Sequence, residues 1–482
     1  MSKSAAIVSR TVRASGAAVG LKSDNLSFVE TIGQSIANVS PTFMPALALV
    51  VVAGLAGPAS WLVYGLATIS LMLVGMNLSR LAGRYATAGS FFVYISRSMG
   101  PVTGGLVGWG LIIAYLGTAM AVTVGVAIFL ASVLKPLGIH VPSVIVYVIT
   151  VSLAWLLAYR DIKISSRIGL GLEAASIVVI LFLAISVLAK HDGPLIDMKQ
   201  LTLEGASFKG IAQAAVFAIF SFVGFESAAS LGRETKNPLR TIPRAVITST
   251  LMAGSFFVVM AYIMVIGYND DAGALAKDAA PLDTLAAAAG VSGIGTLIYI
   301  GATVSAFACA LASINAAARL LFSMGRYQFV HGSMGMVHAQ HRSPHLAVTI
   351  SAVLTLLVPL LMLGMDDMTA FGVLGTVATF GFILGYLLIS IAAPLYIKKQ
   401  GELKTRDIVT GVLGSVAMLG ALVGSVYPVP DYPYNILPYI FLGYLAVGLV
   451  WFLILKKRSP QIIANIEKDL EVNEAEVIGG RK

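Results

Sequence analysis

The sequence predicts an all-α membrane protein, and three observations predict it. Apolar side chains make up 57% of the 482 residues and charged ones 11%, against roughly 25% charged in an average soluble protein. Mean hydropathy is +0.88. Apolar runs recur along the chain at about the 20 residues that a helix needs to cross a bilayer. The 48 glycines suit closely packed membrane helices. This composition excludes disorder over most of the chain. Cys309 is the one cysteine, so no internal disulfide can form. A formal charge of +9 would suggest nucleic acid as the partner of a soluble protein. Here the basic residues fall between apolar runs, so the expected partner is a lipid bilayer, with no nucleic acid.

We read twelve spans, at roughly 28–53, 58–82, 103–133, 142–160, 168–189, 209–232, 245–268, 293–323, 346–364, 369–397, 407–428 and 434–455. Lysine and arginine set their orientation. With the N-terminus cytoplasmic, 27 of the 32 basic residues lie on the cytoplasmic side; Lys135, Lys190, Lys199, Lys209 and Lys277 lie outside. That bias places both termini in the cytoplasm. Trp61, Trp109, Trp155 and Trp451 fall near span ends, where amphipathic rings prefer to sit. Residues 1–24 read as a polar, basic leader and 459–482 as a charged tail, both cytoplasmic. Between them lie a first five-helix repeat (25–190), a second (209–397), and spans eleven and twelve (404–456). The first apolar run carries Glu30, Gln34, Asn38, Pro41 and Pro45 and leads into further spans, which excludes a cleaved signal peptide.

Two spans have interiors unlike plain membrane helices. In the first, Ser35-Ile36-Ala37-Asn38-Val39-Ser40-Pro41-Thr42 puts polar residues and a proline at mid-depth. Pro41 has no amide hydrogen and restricts Ser40 before it. In the sixth, Phe220-Ser221-Phe222-Val223-Gly224-Phe225-Glu226 places a glycine and a carboxylate inside an apolar run. Broken backbone at membrane depth is tolerated where protein or a wet cavity surrounds it. Two breaks, each opening a five-span half, point to an inverted-repeat transporter with its site at mid-membrane. Taken singly, Pro41 could be a simple kink and Gly224 a packing residue.

Three further stretches carry a family resemblance. The first runs from Arg80 through Arg84, Gly89 and Tyr94 to Gly100-Pro101 and Gly108-Trp109. The second is Phe222-Val223-Gly224-Phe225-Glu226, followed by Glu234, Asn237-Pro238 and Ile242-Pro243-Arg244. The third is Ala316 through Arg319 to Arg326. Together they resemble the signatures of the APC superfamily of amino acid–polyamine–organocation permeases. The resemblance covers nearly all twelve spans. It implies a LeuT-like 5+5 inverted repeat with broken spans one and six, and with spans eleven and twelve peripheral. It also implies alternating access, in which spans 1, 2, 6 and 7 rock against spans 3, 4, 8 and 9.

A broken helix exposes amides at one half's N-terminus and carbonyls at the other's C-terminus. Amides after the span-one break, within Ala37, Asn38, Val39, Ser40, Pro41 and Thr42, suit a substrate carboxylate. Carbonyls of Phe220, Ser221 and Phe222, beside Gly224, suit an ammonium. The resemblance implies this arrangement for an α-amino acid. This chain departs from the family's glycine-rich break, and Pro41 offers no amide. Tyr115, Phe220 and Phe222 are candidate pocket or gate aromatics, with ordinary helix packing as the alternative. Glu226 is the leading coupling candidate, because an acid inside a span costs about 3 kcal/mol and so usually has a role. Family relatives link a glutamate at this motif position to proton or substrate coupling. Glu173 is the other membrane acid, read either as a coupling group or as a packing acid near the cytoplasmic end. Several proton-coupled relatives carry a lysine one turn beyond it, where this chain has Ser176. The coupling ion is read as a proton. Sodium is the alternative, held by Ala37 or Ser40 carbonyls and Ser305.

His338, His341 and His345 lie close together in a loop with no cysteine or acid beside them, so we read them as loop residues and expect no metal site. There is no P-loop, dinucleotide fingerprint or nucleophile elbow, so neither an ATP-driven pump nor an enzyme is expected, and no cofactor. The expected function is secondary import of a small amino acid or related zwitterion across a bacterial-type inner membrane. A polyamine or monoamine is the alternative substrate.

Overall fold

The computed structural model describes residue 21 and residues 25–160, 162–278 and 280–458. The leader and tail read from the sequence lie outside the described residues, apart from Leu21. The long helices are α1 (Phe28–Val39), α2 (Phe43–Ala56), α3 (Ser60–Ala82), α4 (Phe91–Met99), α5 (Pro101–Leu134), α6 (Ser143–Arg160) and α7 (Ile162–Lys190). They continue with α8 (Phe208–Ser221), α9 (Pro238–Gly267), α10 (Gly293–Arg326), α11 (His345–Leu361), α12 (Asp367–Lys399), α13 (Thr405–Val426) and α14 (Leu437–Arg458). Among the described residues, nine helical stretches are long and apolar enough to cross a membrane, by length and composition. Two more apolar helices, α8 with 14 residues and α11 with 17, are shorter.

Where the structure departs from the expected spans, local chemistry explains the change. The first expected span is two helices. Ser40 takes a left-handed conformation (φ 54°, ψ 62°) and ends α1, while its amide still bonds Ile36 O. A left-handed residue followed by proline is a common way to stop a helix. Pro41 also cannot supply the amide that Ala37 O would accept in a continuous helix. The sixth expected span stops being α-helical at Ser221. It continues as tight turns through Glu226 and a 3-10 helix over Ser227–Leu231. Span seven starts at Pro238, ahead of the expected 245, because proline suits the first helical position. Helix α4 was not expected. It buries Phe91, Phe92, Tyr94 and Ile95 between spans two and three.

Helix–helix contacts sort the chain into two groups. Helices α1, α2, α3, α8 and α9 pack on one another, and α5, α6, α10 and α11 do likewise. Helix α7 lies against α1 and α10, and α12 against α5. Helix α5 is central: 89% of its most apolar stretch is buried, against 22% for Tyr434–Arg458. Helix α13 leans on α12, α3 and α8, and α14 on α5 and α12. Their outward leucines and valines, such as Val412 and Leu442, are exposed as lipid-facing residues would be.

The arginine-rich end is tied by ion pairs. Arg80 Nε lies 3.1 Å from Asp407 Oδ1, Arg84 Nη2 2.6 Å from Glu402 Oε2, and Arg319 Nε 2.7 Å from Glu234 Oε2. Backbone bonds close the same end. The Asn25 and Leu26 amides both reach Glu234 O at 2.9 Å, and the Lys236 amide reaches Leu26 O at 2.7 Å.

Candidate functional site

The two interrupted helices meet inside the bundle. Ser35 Oγ donates to Phe225 O at 2.8 Å, and the Ala228 amide donates to Ser35 Oγ at 3.1 Å. Ser227 Oγ donates to Gln34 O at 3.3 Å. Gly224 turns the chain at φ 101°, and its α-carbon faces Asn38 so closely that a Cβ there would overlap the Asn38 amide. Both breaks therefore occupy one buried region.

The span-one break is held by hydroxyls and one acid. Asn38 Oδ1 accepts from Ser313 Oγ at 2.5 Å, and Asn38 O accepts from Cys309 Sγ at 3.0 Å. Asn38 Nδ2 is buried and has no hydrogen-bond partner. Ser40 Oγ lies 2.6 Å from Ser305 Oγ. Glu173 Oε1 accepts from the Thr42 amide at 3.1 Å and from Thr42 Oγ1 at 3.0 Å. Glu173 thus lies at the break itself, bonded to Thr42; of the two readings of this acid, that geometry is the one expected of a group at the site and not of a packing acid toward the cytoplasmic end. Ser176 donates instead to Leu172 O and Gly301 O, tying α7 to α10 without a bond to the break. Ala37 packs with Ala308 and Ala312, and Val39 joins the main apolar core.

The span-six break centres on Glu226. Its carboxylate accepts from Tyr115 OH at 2.7 Å, Tyr386 OH at 2.7 Å and the Gly224 amide at 3.2 Å. One acid thereby links α5, α12 and the break. Among the described residues neither Glu226 nor Glu173 takes part in an ion pair, although both are fully buried. The other buried acids on the helices and turns around the breaks have cations: Glu30 has Arg167 and Glu234 has Arg319.

The carbonyls expected to be free are partly used. Phe220 O accepts from the Val223 amide and Phe222 O from the Phe225 amide, each at 3.1 Å. Tight turns replace the missing helical bonds and take one lone pair from each oxygen. The side chains of Ser221 and Phe222 face α3. Ser221 Oγ lies 3.0 Å from Tyr64 OH, and the Phe222 ring packs on Tyr64 and Phe257.

Phe220 faces the other way. Its ring lies 5.9 Å from that of Phe371, which lies 5.7 Å from that of Phe43. Above these rings opens a cavity of about 430 Å³ lined by Leu55, Gln213, Phe217, Met368, Asp431 and Tyr434, among others. It lies at the end away from the arginine-rich ion pairs. Phe371 is common to its floor and to a small crevice that reaches Phe220 and Thr379.

Sequence reasoning missed Tyr386, Ser313, Cys309 and Phe371. A signal existed for Tyr386, because a tyrosine hydroxyl in mid-span must find a partner inside the protein. The three neighbouring histidines gather on the Tyr159 ring, with centroids 5.5, 5.7 and 6.2 Å away.

Comparison with known proteins agrees with this architecture. Residues 31–455 match the family model for amino acid permeases. The chain is 28% identical over 375 residues to the branched-chain amino acid permease BcaP of Bacillus subtilis, covering 72% of this chain and 76% of that protein. It is 27% identical over 302 residues to the low-affinity putrescine importer PlaP of Escherichia coli, covering 61% and 65%. It is 23% identical over 424 residues to the methylthioribose transporter of Bacillus subtilis, covering 84% and 87%. These relatives are transporters, in line with the resemblance carried by the three signature stretches. With a family match over most of its length and its many apolar helices, the chain is a multi-pass membrane protein and belongs to the amino acid permease family.

Proposed function

We propose that this permease imports a small amino acid or related zwitterion by alternating access, coupled to protons. The observation that carries the reading is the meeting of two helix breaks around two buried acids that lack a cation, Glu173 and Glu226. A zwitterion has a carboxylate for the amide end of one break and an ammonium for the carbonyls and acids of the other. Asn38, with a free buried donor, and Tyr115, on Glu226, would orient it. The arrangement is a twelve-span, LeuT-like 5+5 repeat in an inner membrane with both termini cytoplasmic. Spans 1, 2, 6 and 7 move against 3, 4, 8 and 9. The 430 Å³ cavity is then the external vestibule, with Phe43, Phe220 and Phe371 as its closed floor. The Glu234–Arg319 pair and the Leu26–Thr235 pairing close the cytoplasmic side.

The second reading is a di- or monoamine substrate. Two uncompensated acids at the breaks favour it, as does an external face with ten carboxylates against five lysines between the spans. PlaP is named for putrescine, and BcaP for branched-chain amino acids. Sodium is the alternative coupling ion, with Ser40 and Ser305 as its oxygen donors.

Thermal unfolding of the detergent-purified protein with amino acids and amines, with and without sodium, separates these readings. A ligand present at about 100 times its Kd adds roughly 2.7 kcal/mol of stability. A shift with amino acids supports the first reading, and one with amines alone supports the second. No shift with any ligand removes support from both. For coupling, Glu226→Gln is expected to keep ligand binding and to lose uptake driven by a pH gradient in proteoliposomes. Uptake that still follows the gradient would exclude Glu226 from that role.

A further inference from the structure

We propose that Glu173 is an internal ligand, seated on the amide that a substrate carboxylate would need, and that it must let go of Thr42 before such a substrate can be held. The inference rests on the reading above that the span-one break takes a carboxylate. It follows from where the amides at the start of α2 go. Pro41 has none. The Phe43 and Met44 amides bond Ser40 O at 3.1 and 3.2 Å. The Thr42 amide remains, and Glu173 Oε1 holds both it and the Thr42 hydroxyl. A carboxylate at a helix N-terminus is well placed electrostatically, so this acid sits where an external carboxylate would be most stable.

Glu173 is also poised to leave. Its second oxygen, Oε2, is fully buried and has no hydrogen-bond partner. Ser305 Oγ lies beside the carboxylate and 2.6 Å from Ser40 Oγ, a contact in which either hydroxyl can donate. Among the described residues, the titratable groups around α7 form no ion pair with Glu173. Cys309 of α10 is its near neighbour. Glu30 of α1 is paired with Arg167 at the arginine-rich end, and Tyr147 of α6 bonds Asp367. Asp283 faces Gly295, and Tyr262 OH of α9 accepts from the Asp197 amide and donates to Leu195 O. Glu226, at the other break, is bonded to two tyrosines.

Two carboxylates cannot share one amide without strong repulsion. The entering substrate therefore displaces Glu173 as the neutral acid: one proton from the aqueous phase adds to its carboxylate, and the Thr42 amide and hydroxyl pass to the substrate. Carboxylate binding and proton uptake become one event. An amine without a carboxylate leaves Glu173 in place and takes up no proton at this residue.

The probes are leucine and 3-methylbutylamine, which differ by the carboxylate alone. Binding to the detergent-purified full chain is measured between about pH 5 and pH 7.5, where both probes hold their charges. Leucine affinity for the parent protein should rise as pH falls, by up to about tenfold per pH unit for one linked proton. The amine should show no such rise. Glu173→Gln, neutral at every pH, should bind leucine with the low-pH affinity throughout. Thr42→Val, which keeps the amide but loses the hydroxyl bond, should move the leucine profile toward higher pH and serves if Glu173→Gln does not fold. Leucine binding that is flat with pH in the parent overturns the inference, as does a slope that survives in Glu173→Gln. If neither probe binds, the carboxylate-site reading itself fails and takes this inference with it.

Discussion

Gly224→Ala should abolish transport and lower thermal stability. Gly224 sits at φ 101°, a region that residues with a side chain rarely adopt. Holding alanine there costs about 1–3 kcal/mol in backbone strain. Space is a second obstacle, because the new Cβ would overlap the Asn38 amide and carbonyl carbon. Asn38 cannot simply swing away, since Ser313 Oγ holds its Oδ1. The span-six turn must therefore shift, and with it the Gly224 amide that bonds Glu226. Melting in detergent and uptake into proteoliposomes read both effects. Gly171→Ala is the control: that helical glycine has open space where its Cβ would go, and alanine should gain about 0.5–1 kcal/mol there. Adding Asn38→Ala to Gly224→Ala should recover only the overlap with the Asn38 amide group, because the Asn38 Cβ would still lie 2.6 Å from the new one, and should leave the part that comes from φ. A Gly224→Ala protein that melts and transports like the parent would show that the turn does not need glycine.

Arg319→Ala should be the most destabilising single change at the arginine-rich end, by about 3–5 kcal/mol. The guanidinium meets Glu234 with Nε at 2.7 Å and Nη2 at 3.1 Å, and its Nη1 bonds Asn315 O at 3.2 Å. Both side chains are only 3% exposed. Removing the arginine leaves a buried carboxylate without its cation, whereas removing both charges does not. The double change Arg319→Met with Glu234→Gln should therefore melt closer to the parent than Arg319→Ala does. Arg319→Lys should rescue only in part, because an ammonium cannot reproduce the two-point contact. The consequence reaches further, since Glu234 O also anchors the Asn25 and Leu26 amides. Loosening this pair should expose the segment before α1 to protease. A loss under about 1 kcal/mol in Arg319→Ala, set against the buried-pair expectation, would show that Glu234 finds another partner.

Much of the candidate site was readable in advance because bilayers punish particular residues. Pro41 removes an amide and Gly224 permits a turn that other residues resist. Glu226 puts a carboxylate where lipid would not tolerate it, so each was conspicuous against an apolar background. Tyr386 was not, because one tyrosine among aromatic and aliphatic neighbours looks like packing until its hydroxyl is seen on Glu226. Ser313 and Cys309 were hidden for the same reason, since small hydroxyls and thiols are ordinary in packed membrane helices. Helix α4 was hidden among signature residues that were read for their identity and not for their period.

The sequence by itself determined the class of this protein. Hydropathy and segment length demand many membrane helices. Proline, glycine and buried acids mark where two of those helices fail, and the signature stretches resemble one superfamily. Those properties are local, or nearly so, and chain order preserves them. The tertiary structure decided which groups answer the broken backbone. Glu173 lies 131 positions from Thr42, and Tyr386 lies 160 from Glu226. No periodicity in the chain links residues so far apart. They meet because an apolar interior leaves each freed amide and each buried carboxylate no water to bond, so the partner must come from whichever helix packing brings beside it.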